Sequence, residues 1–171
     1  MDFRKELLSE YSKANTLRIA NYIGSDKTKF SHLMKLFFGD DYKLSQYASW
    51  IVSHCFDAHP HLVDSYLERM VLNLENKNVH DAVKRNTVRI FQFATIPEEL
   101  LGRVINICFG FLQSNSEPIA VKVYSMTVLA NISSRIPEIV NELKWEVEKQ
   151  YPYSSPGFKS RARKILKKLS K

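Results

Sequence analysis

Three histidines and an aspartate fall within eight residues, and side chains of these types could bind a metal ion. They are His54, Asp57, His59 and His61. Imidazole nitrogens and carboxylate oxygens are good zinc ligands. Their spacing matches no familiar zinc pattern, however, and the last two histidines flank a proline that opens a helix. Histidines at a turn and on the surface explain the group more simply, so we expect neither a metal nor another cofactor.

The motifs that mark nucleophilic, phosphoryl-transfer or redox catalysis do not occur in the sequence. There is no Gly-x-Ser-x-Gly elbow, no Gly-rich phosphate loop, no His-Glu-x-x-His and no Cys-x-x-Cys pair. The two cysteines, Cys55 and Cys108, are isolated within helical patterns, which predicts buried, reduced residues in a cytoplasmic protein. No apolar run is long enough to cross a bilayer, so no membrane span is expected. We therefore expect a protein without enzymatic activity.

The positive charge of the chain is concentrated at its C-terminal end. The sequence has 25 Lys and Arg against 18 Asp and Glu, a formal net charge of +7. Residues 155–171 contain no acid but carry Lys159, Arg161, Arg163, Lys164, Lys167, Lys168 and Lys171. Residues 1–154 hold equal numbers of cations and acids, so the whole excess lies on the last predicted helix.

Two interpretations of this basic helix stay open. Its predicted basic patch consists of Arg163, Lys164, Lys167 and Lys168. The patch could bind the phosphates of nucleic acid or an anionic lipid. It could equally be a solubilising cap, because the helix dipole favours cations near a C-terminus. No aromatic residue interleaves with these cations in the sequence, which weakens the case for single-strand recognition.

A pattern of small and apolar residues recurs along the chain and places these candidates on helices. Its spacing of i, i+4, i+7, i+8 and i+11 describes one face of an α-helix. The four copies, at offsets of 39, 38 and 37 residues, are Leu44/Ala48/Ile51/Val52/Cys55, Val83/Thr87/Ile90/Phe91/Ala94, Val121/Ser125/Val128/Leu129/Ile132 and Phe158/Ala162/Ile165/Leu166/Leu169. A helical pattern with this period indicates an α-solenoid, in which each unit buries its apolar face against its neighbours.

Prolines divide the repeat into pairs of antiparallel helices. Pro60, Pro97 and Pro137 each follow one helical pattern and open another, as proline suits a first helical turn. The sequence predicts five pairs: 2–13 with 16–24, 27–38 with 42–58, 61–74 with 79–95, 98–113 with 117–135, and 138–150 with 156–170. The first pair fits the pattern poorly, as expected of a unit that caps a solenoid.

The paired helices, the period and the small residue followed by two aliphatic residues resemble HEAT-like or armadillo-like repeats. The resemblance is good over residues 42–171 and weak over residues 1–41. It implies an all-α fold, a right-handed α-α superhelix that forms a single domain over residues 1–171. It also implies that the second helix of each pair lines a concave face, and that the protein binds macromolecules without catalysis.

The outward faces of the predicted second helices supply the candidate partner-binding residues. They are Trp50, Arg85, Val88, Arg89, Val123 and Met126. An apolar centre flanked by a tryptophan and arginines suits an amphipathic helix of a partner. Helix 117–135 is apolar all round, which burial on every side would explain equally well. Trp145 is a further candidate anchor, unless the segment 151–156 folds over it.

These observations favour a binding scaffold that holds a protein or peptide. The alternative is nucleic-acid binding, since HEAT-like DNA glycosylases for alkylated bases have a similar solenoid with a basic concave surface. No catalytic Asp with flanking Trp can be matched to the second helices. Nucleic-acid binding by the basic patch, with help from Arg85 and Arg89, would be weak, insensitive to sequence and lost at higher salt.

Overall fold

The computed structural model describes residues 1–76 and 78–171, and over these residues the protein is all-helical. The α-helices are α1 (Phe3–Ser9), α2 (Lys13–Ile23), α3 (Lys27–Phe37), α4 (Tyr42–Ala58), α5 (Leu67–Leu74), α6 (Asp81–Phe91), α7 (Glu98–Gln113), α8 (Ile119–Ile132), α9 (Val140–Gln150) and α10 (Pro156–Leu169). Short 3-10 helices cover Pro60–Tyr66, Pro137–Ile139 and Tyr151–Tyr153. In the described part of the chain, no helix has the length and apolar character needed to cross a membrane.

The predicted helices are confirmed, but several bounds differ. The segment predicted as helix 61–74 begins as the 3-10 helix Pro60–Tyr66, α6 ends at Phe91 rather than at residue 95, and the first pair differs as well. Helix α1 ends at Ser9, earlier than predicted, and α2 begins at Lys13. The Ser12 side chain accepts a hydrogen bond from the Asn15 backbone N–H and so caps α2. The Asn15 amide donates to the backbone carbonyls of Glu6 and Glu10, which satisfies groups freed by the break. Local capping therefore places the break between α1 and α2 earlier than the sequence predicted.

The helices form two compact units. Unit one comprises residues 1–90 and unit two comprises residues 91–171, so the boundary falls at the end of α6. In unit one, α1, α2 and α3 pack on α4. In unit two, α7, α9 and α10 pack on α8. That the whole chain behaves as a single domain stays a prediction.

The repeated apolar pattern forms the core of each unit. All five pattern residues of α4 are buried, and so are all five of α8. In α10, Phe158, Ala162 and Ile165 are buried, whereas Leu166 and Leu169 are partly exposed. The helix-period pattern in the sequence therefore identifies the packing face correctly on the helices at the centre of both units.

Polar side chains repeat with the same period as the apolar core. Hydrogen bonds join residues 36 to 39 positions apart, which places one repeat against the equivalent position of the next. In unit one they join Asn86 to Ser49 and Arg89 to Ser53. In unit two they join Asn131 to Gln92, Arg135 to Ile96, Gln150 to Leu112 and Lys168 to Asn131. Neighbouring repeats thus hold their register by hydrogen bonds as well as by packing.

The small residue of the pattern lies where paired helices approach closely. Ser125 of α8 is fully buried, and its hydroxyl has no hydrogen-bond partner among the described residues. The equivalent residues Ala48, Thr87 and Ala162 are buried as well. We expect Ser125→Leu to overpack this contact and to lower the free energy of unfolding by about 1–3 kcal/mol. Ser125→Ala, the matched control, should change it little, and urea denaturation of both variants would measure this. Equal midpoints for Ser125→Leu and the parent would contradict the repeat register.

Candidate binding surfaces

A row of aromatic side chains lies along α4 in unit one. Tyr11, which precedes α2, stacks on Tyr47 with ring centroids 4.2 Å apart and an interplanar angle of 16°. Its ring also meets Trp50 edge-on, with a centroid distance of 5.4 Å. The His54 ring follows, 6.1 Å from the ring of Trp50. We call Tyr11, Tyr47, Trp50 and His54 the aromatic row. These contacts pre-organise a partly exposed apolar surface.

The histidine of this row has a lowered pKa, which favours its neutral form. Burial lowers the pKa of His54, and the nearby Asp57 carboxylate opposes that shift only in part. Arg89 and Lys13 also contribute to the lowering. The row is therefore an aromatic surface rather than a cationic one at physiological pH.

Arg89 of α6 is fixed by side chains of α4. Its two terminal nitrogens each donate to a carboxylate oxygen of Asp57, both at 3.0 Å, and one also donates to the Ser53 hydroxyl at 2.7 Å. Such a bidentate pair fixes the orientation of the guanidinium group. Arg85 lies one turn earlier on α6 and is exposed. Of the two arginines predicted to bind a partner, Arg85 therefore carries the more accessible charge.

The predicted histidine group is divided among different contacts. His54 belongs to the aromatic row, and the Asp57 carboxylate is bound by Arg89. His59 and His61 lie with ring centroids 6.2 Å apart. Within the part of the chain that the structure describes, no three His, Cys, Asp or Glu side chains are arranged to hold a metal ion.

Val88 has to be removed from the predicted binding surface, because its side chain is fully buried. On α4, the outward face predicted for Trp50 also includes Ser49 and Ser53, and both are buried. The reason is the contact with α6, where the Asn86 amide donates to the Ser49 hydroxyl at 2.9 Å. A helical wheel predicts one buried face, but here the flank of α4 that meets α6 is also covered. The exposed side of α4 is therefore the side that carries the aromatic row, and not the whole outward face predicted from the helical wheel.

Met126 is removed from the predicted surface for the same reason, and the predicted apolar groove is not open. Met126 and Ala130 of α8 are fully buried, and Val123 is partly exposed. The alternative explanation of this helix, burial on nearly every side, is the correct one. Ile119, at the first turn of α8 with 51% of its surface exposed, and Asn131, in its last turn, are the exposed residues of this helix.

The predicted basic patch on α10 divides into two faces. Arg163 donates to the Tyr151 hydroxyl at 3.2 Å, beside α9. Lys168 donates to the Asn131 side chain of α8 at 3.0 Å, on the other side of the helix. Lys164 and Lys167 are exposed. Arg163 and Lys168 therefore contact different neighbours, and binding by all four cations as one patch stays a prediction.

The sequence analysis missed Arg161 as a site residue. Its guanidinium donates to the Gln92 side chain at 3.1 Å and to the Thr127 hydroxyl of α8. With Lys164 and Lys168 it forms an i, i+3, i+7 series on one side of α10. That spacing is visible in the sequence. The sequence does not show, however, which cation-bearing side of α10 faces α8.

Trp145 of α9 is uncovered, with 60% of its surface exposed. The expectation that the segment 151–156 folds over it is wrong, since Tyr153 itself is 93% exposed. The Lys149 ammonium lies 4.7 Å from the centre of the indole ring, a favourable cation–π distance. Trp145 is therefore a second exposed tryptophan, with surroundings different from those of Trp50.

Comparison with known proteins identifies the repeat. The sequence profile of the HEAT repeat domain matches residues 3–169. The chain belongs to the HEAT repeat domain family. The match extends over the first helix pair, so the short α1 is part of a HEAT repeat despite its weak pattern. No curated protein and no solved structure shows a significant match to the chain. The HEAT fold is a helical repeat scaffold, which presents long surfaces for binding.

Proposed function

We propose that this HEAT repeat protein is a non-catalytic scaffold that holds a protein or peptide on the aromatic row of unit one. The observation that carries the proposal is the ordered and partly exposed cluster of Tyr11, Tyr47 and Trp50. Tryptophan and tyrosine are enriched among the residues that dominate protein binding energy. Because the rings already contact one another, binding would cost little side-chain entropy. The buried thiols fit a cytoplasmic, reducing location.

The charges around the aromatic row suggest the chemistry of the partner. The Lys43 ammonium lies 5.6 Å from the centre of the Tyr47 ring, and Lys13 is close enough to His54 to lower its pKa. Exposed Arg85 lies on the neighbouring helix α6. Cations that surround an apolar centre favour a segment with aromatic or aliphatic residues beside acidic ones. We therefore expect an acidic, partly apolar peptide rather than a basic one.

Peptide display tests the proposal without requiring a known partner. A random library selected on the full chain is expected to enrich acidic peptides with apolar anchors. Trp50→Ala should weaken binding of a selected peptide by at least ~30-fold, as expected when a hot-spot side chain worth about 2 kcal/mol or more is truncated. Trp145→Ala removes the other tryptophan of the chain, on a different unit, and should leave this affinity unchanged.

Isothermal titration with the parent and both variants measures the difference. Selected peptides that bind Trp50→Ala as tightly as the parent would contradict the proposal. So would a selection that enriches basic peptides, because these would be repelled by the cations around the row.

A further inference from the structure

Charge in unit two is separated between its helix layers. Its acidic residues lie on the first helices of the pairs and on the turns that precede helices: Glu98, Glu99, Glu117, Glu138, Glu142, Glu146 and Glu148. The second helices, α8 and α10, contain no acid, and α10 carries six of the twelve Lys and Arg residues of the unit. An unbalanced positive surface attracts anions from solution and raises their rate of association. This separation is a property of the unit, beyond the net charge of the chain.

The inner side of α10 presents its cations within a hydrogen-bonded network. Arg161 donates to the Gln92 side chain, and Lys168 donates to the Asn131 side chain. The Asn131 amide donates in turn to the Gln92 backbone carbonyl at 3.0 Å. Lys164, between the two cations on the same side of the helix, is exposed. The side-chain amides of Gln92 and Asn131 therefore hold two of the three cations, Arg161 and Lys168, in place.

An exposed aromatic residue adjoins this network. Phe93 directly follows Gln92, and 70% of its surface is exposed. In the repeat register, Phe93, Asn131 and Lys168 occupy equivalent positions of successive repeats, at offsets of 38 and 37 residues. We call Gln92, Phe93, Asn131, Arg161, Lys164 and Lys168 the inner basic face. The only aromatic residue of α10, Phe158, is buried, so the exposed aromatic residue comes from a preceding repeat.

We propose that the inner basic face binds single-stranded nucleic acid. Proteins that hold single strands combine a cationic track for the phosphates with aromatic rings on which bases stack. Arg161, Lys164 and Lys168 supply the track, and Phe93 supplies the ring. The amides of Gln92 and Asn131 provide polar groups beside the bases. This site is on unit two and does not depend on the proposed peptide site of unit one.

Other polyanions fit this face less well. An acidic peptide without aromatic residues would pair with the cations but would give the exposed Phe93 ring no planar partner. An anionic membrane would require an exposed apolar face on α10, whereas Phe158, Ala162 and Ile165 are buried. Duplex DNA would contact the cations, but its paired bases could not stack on Phe93. The aromatic ring is thus the feature that selects a single strand.

The cation test compares two variants of the full chain that remove the same charge from opposite sides of α10. The test variant is Lys164→Gln with Lys168→Gln, and the control is Lys159→Gln with Arg163→Gln. Fluorescence anisotropy with a labelled oligothymidylate of about 20 nucleotides measures the affinity from about 50 to 200 mM salt. The test variant should bind severalfold more weakly, and its salt slope should fall by about 0.7 for each phosphate that is no longer neutralised. The control should bind like the parent.

The aromatic test separates a single-strand site from a general polyanion surface. Phe93→Ala should weaken binding of the oligothymidylate by roughly 5- to 150-fold, the loss expected for one stacked base. The same change should leave the weaker binding of duplex DNA of the same length unchanged. Melting curves of each variant establish that the fold is retained.

Three results would overturn the proposal. Equal losses of oligothymidylate affinity in the test and control variants would mean that cations on any side of α10 contribute equally to binding. If Phe93→Ala binds the single strand with unchanged affinity, no base stacks on Phe93. Poly-glutamate, or vesicles of phosphatidylserine and phosphatidylcholine, bound as tightly as the oligonucleotide at equal salt would assign the face to acidic proteins or membranes. None of these results would bear on peptide binding by unit one.

Discussion

Deletion of residues 156–171 is expected to abolish the cooperative folding of unit two. These residues include α10, which packs against both α8 and α9. Its buried Phe158 and Ile165 alone are worth ~3–6 kcal/mol at the usual value for a fully buried large apolar side chain. That loss is comparable to the whole stability of a typical domain, which is about 5–15 kcal/mol.

The deletion also exposes surface that the parent covers. The apolar sides of α8 and α9 would face water, and unpaired solenoid ends of this kind promote association between molecules. We therefore expect the shortened chain to scatter light or to melt without a cooperative transition, as seen by calorimetry and static light scattering. Trp145 of α9 gives a local fluorescence signal for unit two.

A matched control separates the structural contribution of α10 from its charge. Lys164→Gln with Lys168→Gln removes two exposed cations but keeps every buried residue of the helix. This variant should melt like the parent. A truncated chain that stays soluble and melts unchanged would show that α10 is an appendage rather than a cap.

The helix pattern and the core could be predicted from the sequence because they depend on local spacing. Leu44, Ala48 and Val52 repeat in α8 as Val121, Ser125 and Leu129, and all six are buried. The break between α1 and α2 could not be predicted with the same accuracy. It depends on side-chain hydrogen bonds of Ser12 and Asn15, which compete with continuation of the helix.

The candidate surfaces could be predicted only in part, because they depend on which helix flank is covered. Trp50 and Arg85 lie on accessible surface, as expected. The helical wheel also predicted that Val88 faces outward, but its side chain is buried. Tyr11 is far from Trp50 in the sequence, and no spacing rule connects them. Gln92, the neighbour of Phe93 in sequence, is likewise linked to Lys168 through Asn131, on a helix between them in sequence. A site formed by residues of several repeats can therefore be predicted only when the packing of those repeats is known.

High pH is expected to destabilise the protein through its two buried thiols. Burial raises the pKa of Cys55 and of Cys108 from about 9 to about 12. In the unfolded chain both thiols ionise near pH 9, so between pH 9 and 12 the folded state binds more protons than the unfolded state. Stability is therefore complete below pH 9 and falls by about 1.4 kcal/mol per pH unit for each thiol up to pH 12.

Alanine variants isolate this contribution from tyrosines and lysines, which also ionise at high pH. Urea denaturation of Cys55→Ala, Cys108→Ala and the parent at pH 9 and 11 should show the advantage of the parent shrinking by roughly 2–3 kcal/mol for each thiol. If the free energy of unfolding falls equally with pH in the parent and the variants, the burial of the thiols would be contradicted. Cys55 lies in unit one and Cys108 in unit two. If the chain unfolds as a single domain, both substitutions should shift one shared transition, whereas independent units would each respond to their own cysteine alone.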